Sequence, residues 1–258
     1  MSARTLEAWA QALIETPCLG SKLEPGPLPH ALDESWRARR IEAPGRPPEL
    51  RVAAKSPKSP RGLAPAQARA QLLHTFFHHE LQAAELFAWA LLAWPHTPPA
   101  FRRGLGRLAQ EELAHARLYA ARLEELGHPV GSFPVRDWFW ERVPTCRDEV
   151  EFVALVGMGF EAGNLDHCER FAARLRAVGD EPSARLTERV GREEEAHVRF
   201  ALHWFVEWTG GQDFERWLHS LPEPLTPLVL RGAALDRRAR ERAGQEAAFL
   251  DALAAWQP

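Results

Sequence analysis

The chain has 258 residues, enough to bury a substantial core as one large domain or as one domain with appendages. Its formal charge of −3 excludes a protein attracted as a whole to nucleic acid or to acidic membranes. No stretch approaches the roughly 18 apolar residues of a membrane span, and the first residues lack the apolar run of a signal peptide. With three widely spaced cysteines, these features predict a cytoplasmic protein without membrane association.

The N-terminal region, residues 1–64, is predicted to be a short helix followed by an irregular arm. Residues 4–15 carry apolar side chains at helical spacing, whereas ten of the 21 prolines fall between residues 17 and 65. From Arg37 to Arg61 the arm carries eight Lys or Arg against two Glu. It is either an arm packed on the rest of the protein or a phosphate-binding strap, and the lack of interleaved aromatic residues favours the packed arm.

Four long helical segments follow, and proline, glycine or a capping residue bounds each of them. They are expected at residues 66–94, 98–127, 146–178 and 180–209. The third is expected to begin after Thr145, whose side chain can cap it together with Asp148.

The connections predict an all-α four-helix bundle at residues 65–210. Short links join the first segment to the second and the third to the fourth, which indicates two antiparallel hairpins. The link at 127–145 is long enough to cross the bundle from end to end, and its aromatic residues predict that it packs instead of hanging free. Residues 211–258 are expected to add a helical extension, with a short helix near 213–220 and a last helix ending near residue 254.

Two Glu-x-x-His motifs occur on these segments, Glu112 with His115 and Glu194 with His197. Residues three apart lie on one face of a helix, about one turn from each other, so both side chains can reach one metal ion. A single such motif on a helix surface is a weak signal, but two at equivalent places in two hairpins are a much stronger one.

A lone glutamate precedes each motif at nearly the same distance. Glu80 lies 32 residues before Glu112, and Glu161 lies 33 residues before Glu194. All four glutamates fall near the midpoints of the predicted segments, so they would meet in one layer of a bundle whose helices are aligned. This order of residues is the ligand set of a carboxylate-bridged di-metal site. Two divalent cations would also offset the cost of burying four carboxylates.

Oxygen and imidazole ligands without thiolate favour iron or manganese over zinc or copper. We therefore expect two iron ions, with manganese or a mixed iron–manganese pair as the alternatives. Glu111 and Glu193 precede the motifs at the same offset and are candidates to accept the second ring N–H of the ligating histidines. The alternative is that both lie on a solvated helix face.

Other residues compete for a place in the site. Glu85 and Asp166 lie five residues after the lone glutamates, which turns them about 140° away from the ligand face and predicts polar flanking residues. His74 and His78 are one turn apart and could bind a metal, but they lack partners elsewhere. Tyr119, one turn beyond the first motif, is expected in the core, with a redox or hydrogen-bonding role as the alternative.

The surroundings of Glu161 are rich in small residues. Gly157, Gly159 and Gly163 either allow close helix packing or leave an opening beside the metals for dioxygen or substrate. Cys168, two turns beyond Glu161, is expected to be a buried small residue and not a ligand.

Four stretches, which begin at His78, Glu111, Phe133 and Phe160, resemble the ferritin-like superfamily, in particular a bacterial family of single-chain ferritin-like proteins. The likeness covers about residues 60 to 210. More distantly, the chain is similar to the tRNA hydroxylases that oxidise the isopentenyl group of a hypermodified adenosine. The resemblance implies a di-iron site, and the ligands that it implies are Glu80, Glu112, His115, Glu161, Glu194 and His197. It does not supply a substrate.

These observations favour a dioxygen-activating di-iron oxidase or hydroxylase. The chain carries no G-x-G-x-x-G motif for a flavin or nucleotide, so an external electron donor or reductase would be needed. The substrate would be a small molecule or a modified nucleoside, and we expect a monomer or homodimer. The alternatives are a ferroxidase or peroxide scavenger, and a metal-stabilised binding or scaffold protein.

Overall fold

The computed structural model describes residues 3–55, 60 and 62–258. These residues form helices joined by turns and loops, and among them no β-strand occurs beyond an isolated parallel bridge between Val52 and Val135. The all-α prediction is confirmed. None of the described helices is long and apolar enough to cross a membrane. The chain divides into two compact units, Met1–Pro144 and Thr145–Pro258.

The first unit is built on two long helices that pack against each other, α3 and α4, joined by five residues. Pro99 opens α4 at a position where the missing N–H costs nothing, and the Thr5 side chain caps α1 by accepting from the backbone N–H of Ala8. The helices of this unit are α1 (Leu6–Glu15), α2 (Leu19–Leu23), α3 (Ala66–Ala93) and α4 (Pro99–Glu125).

The arm that follows α2 packs against α3. The backbone N–H of Arg39 donates to the Leu92 carbonyl over 3.0 Å, and the Trp89 indole N–H donates to the Ile41 carbonyl over 3.1 Å. The guanidinium of Arg40 lies 5.4 Å from the Trp89 ring, within the range of a cation–π contact.

Several of the arm's positive charges are used inside the unit. Arg39 forms an ion pair with Glu15, and Arg46 binds two buried or half-buried carboxylates that are described below. These contacts favour the packed arm over the phosphate-binding strap. Lys58 and Arg61, which belong to the predicted basic stretch, lie outside the described residues.

The connection after α4 packs within the first unit, as its aromatic residues predicted. Phe133 and Trp140 are buried, and the backbone N–H groups of Phe139 and Trp140 donate to the side-chain oxygen of Gln82 on α3.

The second unit begins with a continuous helical segment in which nine residues adopt π-helical geometry. Its parts are α5 (Glu149–Phe152), the π-helix (Val153–Glu161) and α6 (Ala162–Ala177), and it is followed by α7 (Glu181–Thr209). Asp148 caps α5 by accepting from the backbone N–H of Glu151 over 2.9 Å. The predicted cap at Thr145 is therefore wrong, because α5 begins at Glu149 and the residue directly before it is Asp148.

The C-terminal region holds α8 (Phe214–His219), α9 (Arg237–Arg242) and α10 (Ala247–Ala255). The sequence predicted one last helix here. That prediction is wrong because Gly244 adopts a φ of 97°, a left-handed conformation that ends α9.

Asp166 on α6 fastens this region to the second unit. Its carboxylate accepts from the backbone N–H groups of Gly232 and Asp236 over 2.8 and 2.7 Å, and from the guanidinium of Arg240 over 2.9 and 2.7 Å. Both charged side chains are fully buried. Removing either partner of this buried pair would lower the stability of the fold, because the remaining charge would be left uncompensated.

We expect Asp166→Ala to lower the free energy of unfolding by about 3 kcal/mol, because it leaves Arg240 buried without its counter-ion. Urea unfolding measures this loss. A double variant, Asp166→Ala with Arg240→Met, should recover part of it. The control is Asp251→Ala, which removes an exposed ion pair with Arg237 and should cost less than about 1 kcal/mol. Equal losses for Asp166→Ala and Asp251→Ala would contradict the prediction.

Candidate metal centre

Three of the predicted ligands lie together in the first unit. Glu80 is near the middle of α3, and Glu112 and His115 are near the middle of α4. All three side chains are at most 5% exposed. The Nδ1 atom of His115 lies 3.6 Å from Oε2 of Glu80 and 3.7 Å from Oε2 of Glu112.

The second unit has the equivalent arrangement. Glu161 ends the π-helix, and Glu194 and His197 lie on α7. These side chains are also at most 5% exposed. The Nδ1 atom of His197 lies 2.7 Å from Oε2 of Glu194, and the side-chain N–H of Asn164 donates to Oε1 of Glu194 over 3.3 Å.

Buried glutamates and histidines form two groups that could hold a metal ion. In the first unit, potential ligand atoms of Glu80, Glu112 and His115 lie within 4.8 Å of one another, and in the second unit those of Glu161, Glu194 and His197 do so. Carboxylate oxygens and imidazole nitrogens at this spacing suit divalent first-row metals.

Glu85, which competes with other acids for a place in the metal site, forms ion pairs with cationic side chains of the protein. Its buried carboxylate forms ion pairs with Lys22 and Arg46, both over 2.7 Å, and accepts from the indole N–H of Trp140 over 3.0 Å. Burial lowers the pKa of Lys22, while the charge of Glu85 opposes that shift. Because two cations and an indole occupy its oxygens, Glu85 is an anchor for the N-terminal arm and not a metal ligand.

His74 and His78 take part in two separate hydrogen bonds and do not form a metal site together. The backbone N–H of Gly131 donates to Nε2 of His74 over 2.9 Å, and Nε2 of His78 lies 3.1 Å from the Asp137 carboxylate. Burial works against ionisation of Asp137, but hydrogen bonds from His78 and Arg46 lower the pKa of Asp137 to about 2. Both histidines therefore hold the connection after α4 in place.

Glu111 and Glu193 are exposed. Glu193 accepts from the guanidinium of Arg189 over 2.9 Å, a pair between residues one turn apart on the surface of α7. Glu111 lines an open surface cavity of about 500 Å³ together with Arg107 and Arg117. This exposure favours the solvated-face alternative over a hydrogen bond to a buried imidazole.

Neighbouring residues fill the space beside the glycines of the π-helix and α6. A Cβ atom on Gly157 would lie 2.0 Å from Cβ of Ala201 on α7. On Gly159 and Gly163 it would lie about 3 Å from Leu230. Close packing is thus the reason for these glycines, and the π-helix that contains two of them is a feature that the sequence reasoning missed.

Tyr119 is buried and packs edge-on against the ring of Phe76, with 5.6 Å between the ring centroids. It is a core residue, as its position one turn beyond His115 predicted.

The fold and the site define a class: an all-helical protein whose buried glutamates and histidines could hold a metal ion. The family model of DUF455, described as a protein of unknown function, matches residues 6–251, so the chain belongs to that family. An uncharacterized protein of Haemophilus influenzae is 29% identical over 153 residues, which are 56% of this chain and 53% of that protein. The chain thus spans about half the length of this curated relative. No solved structure matches the chain significantly.

We expect stability to fall between pH 6.5 and 4 because of His74. Burial, with smaller effects of His78 and Arg51, lowers the pKa of His74 to about 4, whereas the unfolded chain keeps the ordinary value of 6.5. In this window the unfolded state binds more protons, so acid favours unfolding. Protonation would also remove the ring nitrogen that accepts from Gly131.

The thermal midpoint measured against pH tests this expectation. The His74→Phe variant should be less stable than the wild type at pH 7 but should lose less stability on going to pH 4. The control is His219→Gln, an exposed site whose profile should match the wild type. Parallel profiles for His74→Phe and the wild type would rule out His74 as the source.

Proposed function

We propose that residues 65–210 form a ferritin-like four-helix bundle that holds two metal ions. The α3–α4 hairpin and the hairpin of α7 with the helical segment before it would supply one Glu and one Glu-x-x-His motif each. Residues 1–64 and 211–258 would then be additions packed on the bundle. The similar lengths of the four segments and the short links within each hairpin support this arrangement.

The observation that carries the proposal is that each unit buries one glutamate and one Glu-x-x-His motif with their potential ligand atoms within 4.8 Å of one another. In the proposed bundle, Glu112 and Glu194 would be the carboxylates shared by the two ions. Glu80 and His115 would then serve one ion, and Glu161 and His197 would serve the other.

The residues fit iron or manganese. All donors are carboxylate oxygens or imidazole nitrogens, and two divalent ions would match the charge of four buried glutamates. When bound, a pair of iron ions supplies redox chemistry with dioxygen. The chain's contribution is to keep the six side chains out of water and to allow Glu112 and Glu194 to bind one ion or both.

On this basis the protein is a dioxygen-activating oxidase or hydroxylase that receives electrons from an external donor. Its substrate would be a small molecule or a modified nucleoside.

One observation favours a second function, a ferroxidase or peroxide scavenger. Ala201 and Leu230 fill the space beside the glycines that precede and follow Glu161. Packing on this side suits a reactant as small as dioxygen, peroxide or a ferrous ion better than a nucleoside.

Anaerobic loading with Fe(II), followed by metal analysis, tests the centre. We expect about two ions per chain in the wild type and fewer than one in Glu112→Ala or Glu194→Ala, because each substitution removes a ligand that the proposal assigns to both ions. The matched controls are the adjacent, exposed Glu111→Ala and Glu193→Ala, which should keep both ions. A wild-type protein that takes up neither iron nor manganese would overturn the proposal.

Dioxygen consumption by the reduced, loaded protein separates the functions. An oxidase or hydroxylase needs sustained electron supply and an organic substrate for full turnover, whereas a ferroxidase or peroxide scavenger turns over Fe(II) or peroxide alone. A loaded protein that reacts with neither dioxygen nor peroxide would favour the scaffold alternative, in which Glu194→Ala lowers stability and nothing else.

A further inference from the structure

Asn164 on α6 lies one turn after Glu161, where its side chain connects two other groups. Its amide N–H donates to Oε1 of Glu194 over 3.3 Å, and its amide oxygen accepts from the thiol of Cys168 over 3.5 Å. A carboxylate can only accept and the thiol here donates, so both neighbours favour the same orientation of the amide.

The hydrogen bond leaves the other oxygen of Glu194 directed at His197, the histidine of the same motif. Oε2 of Glu194 lies 2.7 Å from Nδ1 of His197. Asn164 therefore holds one carboxylate oxygen of Glu194, while the second oxygen stays beside the imidazole of His197. One metal ion could bind this second oxygen and the ring nitrogen together. Such a contact reduces the freedom that the Glu194 side chain would lose on binding a metal.

A glycine on α7 allows the close helix packing that the contact between Asn164 and Glu194 requires. Gly191 lies one turn before Glu194 on α7, and a Cβ atom there would lie 2.7 Å from Cβ of Cys168. Because Gly191 has no side chain, α7 approaches α6 closely at Cys168, which brings Glu194 within reach of Asn164.

The first hairpin lacks all three of these features. The positions that match Asn164, Cys168 and Gly191 by their distance from the ligand glutamates are Ala83, Phe87 and Ala109. Alanine and phenylalanine have no polar atom to donate to a carboxylate. The two halves of the site, which are alike in their ligand types, thus differ in the residue types at these three positions.

We infer that Asn164 is a positioning residue that makes the two metal positions unequal. The inference rests on the proposed di-metal function. The position served by Glu161, Glu194 and His197 binds its ion more tightly and fills first, because Asn164 pre-organises Glu194 there. The position served by Glu80 and His115 fills second.

Anaerobic titration with Co(II), followed by its visible spectrum and by calorimetry, measures both affinities. The wild type should show two unequal binding steps. Asn164→Ala should weaken the tight step roughly 10- to 100-fold, the usual effect of losing a group that orients a ligand. The weak step should be unchanged, because the first ion already holds Glu194 when the second ion binds. Alanine already occupies the matched position of the first hairpin, Ala83, so we expect α6 to accommodate alanine at position 164. Thermal unfolding of the metal-free variant checks the fold.

Further variants keep the test decisive. Cys168→Ser retains a donor to Asn164 and should match the wild type, whereas Cys168→Ala should weaken the same step by a smaller factor. Ala83→Gly, the matched control in the first hairpin, adds no polar atom and should change neither step. Wild-type affinities in Asn164→Ala, or equal weakening of both steps, would overturn the inference while leaving the di-metal function intact. A wild type that binds no Co(II), iron or manganese would instead defeat the function itself.

Discussion

The burial of carboxylates is the constraint on which the rest of this structure depends. A carboxylate removed from water costs several kcal/mol unless opposite charge and hydrogen bonds compensate for it. Glu85 is compensated by Lys22 and Arg46, and Asp166 by Arg240. Each of these cations comes from a segment outside the long hairpins. Charge matching therefore determines where the N-terminal arm and the C-terminal region pack.

The same constraint acts twice on α3 and twice on the continuous helical segment formed by the π-helix and α6. Glu80 and Glu85 share α3, and Asp166 follows Glu161 by the same five residues. A five-residue step turns about 140° around an α-helix, so the two carboxylates of each pair point in different directions. One receives cations that the protein supplies itself. The other belongs to a group of buried donors that could hold a metal ion. The chain has thus placed two chemically similar acids in two different electrostatic settings.

Much of the secondary structure could be predicted from local signals. Prolines, capping residues and glycines placed the ends of the four long segments within a few residues of where they lie. The π-helix at Val153–Glu161 was not predicted, because it depends on packing that a helical pattern does not encode. The break at Gly244 was also missed, although a glycine is a local signal for the end of a helix. The role of Arg46 was also hidden, since its partners Glu85 and Asp137 are 39 and 91 residues away along the chain.

By itself, the sequence determined the helical class, the two Glu-x-x-His motifs and the matching lone glutamates, because spacing along one helix decides which side chains share a face. Only the tertiary structure decided which buried acids have protein cations, that Leu230 and Ala201 fill the space beside the glycines, and that Asn164 supports Glu194. These contacts join residues that are distant in sequence. No local pattern reports them, because they form only when separate segments pack together.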